Sequence, residues 1–105
     1  ERYRKAYDPA GFRAAWEAMA RYDPQPVVQE LLTGEAVGVS LVMDGKSRPV
    51  SVLCHRRVRE YPTQGGPSSC CESVWDGDLV EHAVKLLRGL GFVGLAMVEF
   101  KGGKL

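Results

Sequence analysis

The chain has 105 residues, which is enough for one small hydrophobic core. Its 14 basic and 13 acidic side chains nearly cancel, so no global field favours nucleic acid or an acidic membrane surface as a partner. The longest apolar run, over residues 91–98, is too short to cross a bilayer. Three cysteines without metal-ligand spacing predict reduced thiols and a cytoplasmic protein.

The first predicted element is a helix that begins after Asp8, a favourable N-cap, and ends near Tyr22. Its apolar side chains recur at helical spacing and are expected to belong to the core. A short strand is predicted over residues 27–32, where an apolar run ends at a Thr-Gly pair. The apolar positions of the helix are Phe12, Ala15, Trp16 and Met19.

Alternation of side chains over residues 35–44 predicts a strand with one buried face. Asp44 and Gly45 are typical of a hairpin turn, and residues 49–61 are expected to return as the partner strand. On this return strand Arg56 shares a face with apolar residues. Its guanidinium therefore needs a partner.

A basic segment at the end of the return strand leads into a glycine loop. Arginines supply forked donors for anionic oxygens, and glycines let backbone amides approach a ligand closely. The segment favours either an anion site or the solvated basic edge of a hairpin. Its residues are Arg56, Arg57 and Arg59, followed by Gly65, Gly66, Pro67, Ser68 and Ser69.

After the loop, residues 70–74 predict a further short strand. A second helix is capped by either Asp76 or Asp78 and ends at Gly89 or Gly91. Its apolar positions fit one broad face, as expected for a helix that packs on a sheet.

The last predicted strand covers residues 93–101 and is apolar on both faces, which indicates a central position in the sheet. Glu99 lies inside this strand. A carboxylate there is either paired with a lysine such as Lys101 or Lys104 at a sheet edge, or bound to a cation. The order of elements predicts an α+β fold, a two-layer sandwich with a mostly antiparallel sheet and two helices packed on one face.

In this order, the segments resemble the ATP-grasp superfamily, above all its carbamoyl-phosphate-synthase-like and carboxylate–amine ligase branches. The resemblance extends over nearly the whole chain from about Asp8 onward. The segments that carry it are residues 27–35, the hairpin, and residues 55–62, 65–68 and 90–100.

The resemblance implies a site for Mg·ATP. It assigns the adenine hinge to Gln29, Glu30, Leu31 and Leu32, and the ribose contact to Glu35. It assigns the Mg²⁺ ligand, with Mn²⁺ as an alternative metal, to Glu99. Gly65, Gly66 and Ser68 would face the γ-phosphate, and Arg57 and Arg59 would contact the substrate.

The implied function is that of an ATP-dependent ligase, which activates a small carboxylate as an acyl phosphate for attack by an amine or similar nucleophile. Residues 1–105 would form a single partial domain of a longer polypeptide, without the phosphate-covering loop and the final metal-binding strand of the family. Alone, the chain is expected to be inactive and to bind Mg·ATP weakly. The alternative is a non-catalytic module that binds RNA or an acidic protein through the basic strand, or a homo-oligomer paired through an open sheet edge.

Overall fold

The structure, a computed structural model, describes residues 3–63 and 66–105. Its internal contacts divide the chain into two units, Glu1–Leu31 and Leu32–Leu105. The first unit holds one helix, and the second holds a four-stranded antiparallel sheet and the other helix, which confirms the predicted α+β class. The elements are α1 (Pro9–Ala20), β1 (Ala36–Met43), β2 (Pro49–Glu60), β3 (Ser68–Ser73), α2 (Gly77–Gly89) and β4 (Gly94–Lys101).

Helix α1 begins at the predicted position and ends within two residues of the predicted one. Asp8 caps it, since its Oδ1 accepts a hydrogen bond from the backbone N–H of Gly11 at 2.7 Å. The prediction that its aromatic stripe is core is wrong: Phe12 and Trp16 are 43% and 40% exposed, and no residue of α1 is buried. Over residues 3–31 of the first unit, α1 is the one helix or strand, so these residues provide no second layer of secondary structure to cover the stripe.

Residues 27–32 do not form the predicted strand. Among the described residues none pairs with them in a ladder, and Val27 is 90% exposed. An apolar run becomes a stable strand only where neighbouring strands accept its backbone hydrogen bonds. This stretch is therefore irregular.

The sheet has the strand order β3–β2–β1–β4, and every neighbouring pair is antiparallel. Among the strands that the structure describes, β4 pairs only with β1 and lies at the edge of the sheet. The prediction that β4 is central is therefore wrong. Apolar residues on the second face of β4 do not indicate burial here. That face is turned away from α2, and its Leu95 and Met97 are exposed.

The connection between β1 and β2 covers residues 44–48 and begins with the predicted pair Asp44 and Gly45. Asp44 Oδ1 accepts hydrogen bonds from the backbone N–H groups of Lys46 at 2.8 Å and Arg48 at 2.9 Å. Ser47 adopts a left-handed conformation, with φ at 54°. The side chain of Asp44, rather than an Asp-Gly corner, therefore organises this turn.

Helix α2 is fixed at both ends by predicted signals. Asp76, not Asp78, is the N-cap, because its side chain accepts from a backbone N–H of the first turn. At the other end Gly91 has a φ of 63°, and Phe92 N donates to Leu87 O at 2.9 Å. These features define a Schellman motif, in which glycine takes the left-handed position.

The core lies between α2 and one face of the sheet, which we call the covered face. Its residues are all at most 7% exposed: Val39, Leu41, Met43, Cys54, Leu79, Ala83, Leu87, Val98 and Phe100. The intervening residues of the strands form the opposite face, which we call the open face. The open face includes Ser40, Val42, Leu53, His55, Arg57, Leu95, Met97 and Glu99.

Candidate functional site

A pocket of about 530 Å³ opens at the end of the sheet where β1 begins and β2 and β4 end. Antiparallel pairing brings the start of one strand beside the end of the next, so the pocket draws on segments that are distant in sequence. Three of its side chains are basic and two are acidic. The lining residues are Gly34, Glu35, Ala36, Arg57, Val58, Arg59, Glu60, Tyr61, Thr63, Ser69 and Lys101. Glu35, Arg57 and Arg59, which were singled out in the sequence, meet here.

Glu99 contacts this group of residues through Arg57. Arg57 Nη2 and Glu99 Oε1 form an ion pair between β2 and β4, across β1, which lies between these two strands. The Arg57 side chain is 23% exposed and that of Glu99 is 53% exposed. Arg57 also lies 3.7 Å from Glu60 Oε1. The carboxylate predicted to hold a metal and an arginine predicted to contact substrate are therefore direct neighbours.

Arg56 has the acidic partners that its position on an apolar face requires. Its Nε donates to Glu72 Oε1 at 2.8 Å, and its Nη1 donates to Glu35 Oε1 at 3.0 Å. These carboxylates, Glu72 before Glu35, raise the pKa of Arg56. Arg56 thus ties Glu35 to β3 and holds it at the wall of the pocket, so the residue predicted to contact ribose is engaged by a guanidinium.

His55 lies beside the ion pair on the open face. Gly38 pairs with His55 on β2 and with Glu99 on β4, so the three residues form one row across the sheet. A Cβ at residue 38 would overlap the imidazole of His55. Glycine at this position therefore makes room for the ring, and the row holds an imidazole and a carboxylate on either side of a residue without a side chain.

The predicted phosphate loop is partly described. Gly65 lies outside the described residues, and Gly66 is packed so closely that a Cβ would overlap Tyr61 O. Ser68 donates through Oγ to Cys70 O at 3.1 Å, and it is Ser69 that lines the pocket. The pairing of β2 with β3 is irregular around Arg57–Glu60, and such bulges re-aim side chains in a way that spacing alone does not reveal.

The predicted adenine hinge falls at the boundary between the two units. Gln29, Glu30 and Leu31 belong to the first unit and are exposed, whereas Leu32 belongs to the second unit and is half-buried. None of the four lies in a strand.

Glu99 suits a magnesium ion only where phosphate oxygens complete the coordination. Within residues 3–63 and 66–105, no three His, Cys, Asp or Glu side chains group as a metal site. Magnesium sites of nucleotide-binding proteins often use one or two carboxylates, several waters and the phosphates themselves. The residues therefore fit a metal carried by a polyphosphate, and they do not form a protein-only magnesium site.

Lys101 also lines the pocket, although the sequence suggested it only as an ion-pair partner of Glu99. It lies two positions beyond Glu99 and shares its face of β4, so the strand period of two would have identified it. In the part of the chain that the structure describes, neither Lys101 nor Arg59 forms a salt bridge with a carboxylate. These two cations leave the pocket with positive charge available to an anion.

Comparison of the chain with protein-family models, curated protein sequences and solved structures finds no match. Over the described ranges, no helix combines the length and the apolar character that crossing a bilayer requires. The fold and the pocket define a two-layer α+β unit with a charged site at one end of its sheet.

Proposed function

We propose that the chain is part of an ATP-dependent ligase of the ATP-grasp type, which activates a small carboxylate with Mg·ATP. The observation that carries this proposal is the convergence of Glu35, Arg57 and Arg59 on one pocket, with Glu99 in contact with Arg57. These residues come from three separate segments of the chain. The resemblance assigns all of them to one nucleotide and substrate site.

The charges of the pocket suit phosphoryl transfer, in which positioning and charge neutralisation dominate catalysis. An oxygen of the substrate carboxylate attacks the γ-phosphorus, the bond to the bridging oxygen breaks, and ADP leaves with that electron pair. Arg57 and Arg59 would hold the substrate carboxylate and the transferred group through charged hydrogen bonds. Glu99 would hold Mg²⁺, which neutralises phosphate charge when it is bound.

In the second step the nitrogen of an amine attacks the carbonyl carbon of the acyl phosphate. The carbon–oxygen bond to phosphate breaks, inorganic phosphate leaves, and the nitrogen loses a proton to water. Arg59 and Lys101 would stabilise the departing phosphate, since no described carboxylate neutralises either cation. The pathway needs no nucleophile from the protein.

A non-catalytic binding module is the second hypothesis, and the distribution of charge supports it less. Arg56 is engaged by two carboxylates and Arg57 by Glu99, which leaves Arg59 as the basic side chain of β2 with no described acidic partner. In addition, β2 lies inside the sheet and offers no free backbone edge.

The three cysteines are free, and we place the protein in the reducing cytoplasm.

The proposal is tested by titrating the ¹⁵N-labelled chain with Mg·ATP and following the backbone amide chemical shifts. Binding is expected in the millimolar range, because the resemblance assigns the phosphate-covering loop to another part of the protein. Shifts are expected at residues 34–36, 57–61 and 99–101, which surround the pocket and Glu99. Mg·AMP is the matched ligand, since it lacks the two outer phosphates.

Saturable shifts at these residues with Mg·ATP, and weaker ones with Mg·AMP, support the proposal. Equal shifts with both nucleotides, shifts confined to α2, or no shifts contradict it. RNA binding with a steep salt dependence supports the second hypothesis instead.

A further inference from the structure

The ion pair between Arg57 and Glu99 occupies two groups that the proposed function assigns to ligands of opposite charge. Glu99 is assigned to a divalent cation, and Arg57 is assigned to anionic oxygens. In the structure each neutralises the other, through Arg57 Nη2 and Glu99 Oε1. The second carboxylate near Arg57, that of Glu60, is 3.7 Å away and makes a longer contact. Each group can give its full charge to its own ligand only when the ion pair separates.

We propose that this ion pair makes the pocket selective for a polyphosphate that arrives together with its divalent cation. The inference rests on the proposed function and adds how the same site discriminates between ligands. A cation alone must separate the pair and leave Arg57 without an anion. A polyphosphate alone must separate it and leave Glu99 without a cation.

The metal–polyphosphate complex separates the pair once and supplies both missing charges. Cation and polyphosphate therefore bind with positive coupling, and by linkage each strengthens the binding of the other by the same factor. Arg59 and Lys101 lie outside this exchange, because they form no described salt bridge that must first open. They attract the polyphosphate whether the ion pair is closed or open.

The size of the coupling follows from the exposure of the pair. An ion pair of which one partner is half exposed favours the closed state by about two- to fivefold. The apparent affinity for either ligand alone falls by about the same factor, since only the open fraction binds. Removing Arg57 should therefore raise the affinity of Glu99 for the cation by about that factor. Removing Glu99 should likewise raise the affinity of Arg57 for the polyphosphate.

The experiment uses the full 105-residue chain, ¹⁵N-labelled, with magnesium chloride alone, sodium tripolyphosphate alone and an equimolar mixture. Arg57→Gln frees Glu99, and its control is Arg59→Gln, which removes the same charge from the same pocket but opens no described ion pair. Glu99→Gln removes the nearer carboxylate from Arg57 and leaves it only the longer contact with Glu60. Its control is Glu35→Gln, because Arg56 keeps Glu72 as a partner. Amide shifts of Gly38 and Met97 report the Glu99 side, and those of Gly34 report the pocket.

The expected result is that Arg57→Gln binds Mg²⁺ about two- to fivefold more tightly than Arg59→Gln does. Likewise, Glu99→Gln is expected to bind tripolyphosphate more tightly than Glu35→Gln by about that factor. The two arms are independent, so the test survives if one variant fails to fold. If the native chain binds Mg·ATP but the variants match their controls, the coupling is wrong and the proposed function stands. If no polyphosphate shifts any pocket amide of the native chain, both are wrong.

Discussion

The covered face and the open face belong to the same strands of one sheet, yet they differ in almost every physical respect. On the covered face, Val39, Leu41 and Cys54 are essentially inaccessible and α2 packs over them. One residue further along a strand, the open face presents exposed Leu53 and the ion pair of Arg57 with Glu99. Because alternate side chains point to opposite faces, neighbouring residues of one strand belong to the packed face and to the face that carries the ion pair.

Stability and binding should therefore respond to substitutions on different faces. Burial of apolar area stabilises the fold on the covered face, and it contributes about 25 cal/mol for each Å² removed from water. The open face contributes less to stability because its apolar side chains remain in contact with solvent. It can therefore carry charged groups whose net contribution to folding is small.

The largest expected effect is the loss of a buried leucine from the covered face. Leu41 is 1% exposed, so Leu41→Ala should lower the free energy of unfolding by about 2–5 kcal/mol, through lost burial and the cavity left behind. Urea denaturation followed by circular dichroism measures the change. Leu53→Ala on the open face is the matched control and should cost less than about 1 kcal/mol, since Leu53 is 53% exposed. Equal losses of unfolding free energy in the two variants would contradict the distinction between the faces.

The second prediction concerns the row of Gly38, His55 and Glu99 on the open face. Gly38→Ala should lower the free energy of unfolding by about 1–3 kcal/mol, because the new Cβ would overlap the imidazole of His55 and force the ring aside. In a His55→Ala background the same change should cost less, and a double-mutant cycle in urea measures the difference. An unchanged cost in that background would show that the ring does not lie over Gly38.

Most of the elements could be predicted from the sequence because their signals are local. Asp8 and Asp76 are caps, Gly91 takes the left-handed position that ends α2, and alternation along β1 sets its buried face. Each of these depends on a few neighbouring residues. The structure confirms them within one or two positions.

The errors concern properties that are not local. The apolar run over residues 27–32 resembles a strand, but it has no partner to pair with among the described residues. Likewise β4 is apolar on both faces yet lies at the sheet edge, because the order of strands is set by pairing rather than by composition.

The same reasoning explains which site residues could be found. Arg57 and Arg59 were identified by residue type and Glu35 through the resemblance, and antiparallel pairing brings the three into one pocket. The ion-pair alternative for Glu99 named a lysine such as Lys101 or Lys104, but its partner is Arg57, which reaches it across β1. Only the strand order reveals that proximity. Ser69 rather than Ser68 lines the pocket, and the irregular pairing of β2 with β3 near these residues is not visible in the spacing.

The third prediction tests the helix that covers one face. Asp76→Ala should lower the free energy of unfolding by about 1 kcal/mol, since Asp76 accepts a hydrogen bond from Leu79 N at 3.1 Å. Asp78→Ala is the control, and it should cost about 0.3–1 kcal/mol because Asp78 lies in the first turn, where a negative charge interacts favourably with the helix dipole. Thermal unfolding ranks the two variants. A larger loss for Asp78→Ala would contradict the assignment of the cap. If Asp76→Ala also lost the chemical shift changes that Mg·ATP causes on the open face, the two faces would not be independent.

The smallest effect is expected at Asp44, at the end of β1 opposite the pocket. Hydrogen bonds from the side chain and backbone of Arg48, and from the backbone of Lys46, hold the pKa of Asp44 at about 2, below the ordinary value of 3.8. Since the pKa is lower in the folded chain, ionised Asp44 stabilises the fold above about pH 4. That contribution is lost as the pH falls through about 2.

An NMR titration of the Asp44 carboxyl carbon measures this pKa directly, at low salt because the interaction is exposed to screening. Arg48→Gln should raise the pKa of Asp44 toward 3.8, since the side-chain hydrogen bond from Arg48 is the largest cause of the shift. The amides around Arg57 and Glu99 should keep their native shifts in this variant, because they lie at the other end of the sheet. A carboxyl that titrates at its ordinary pKa with Arg48 in place would show that Asp44 does not organise the turn. Movement of the pocket amides in Arg48→Gln would instead show that the two ends of the open face are not independent.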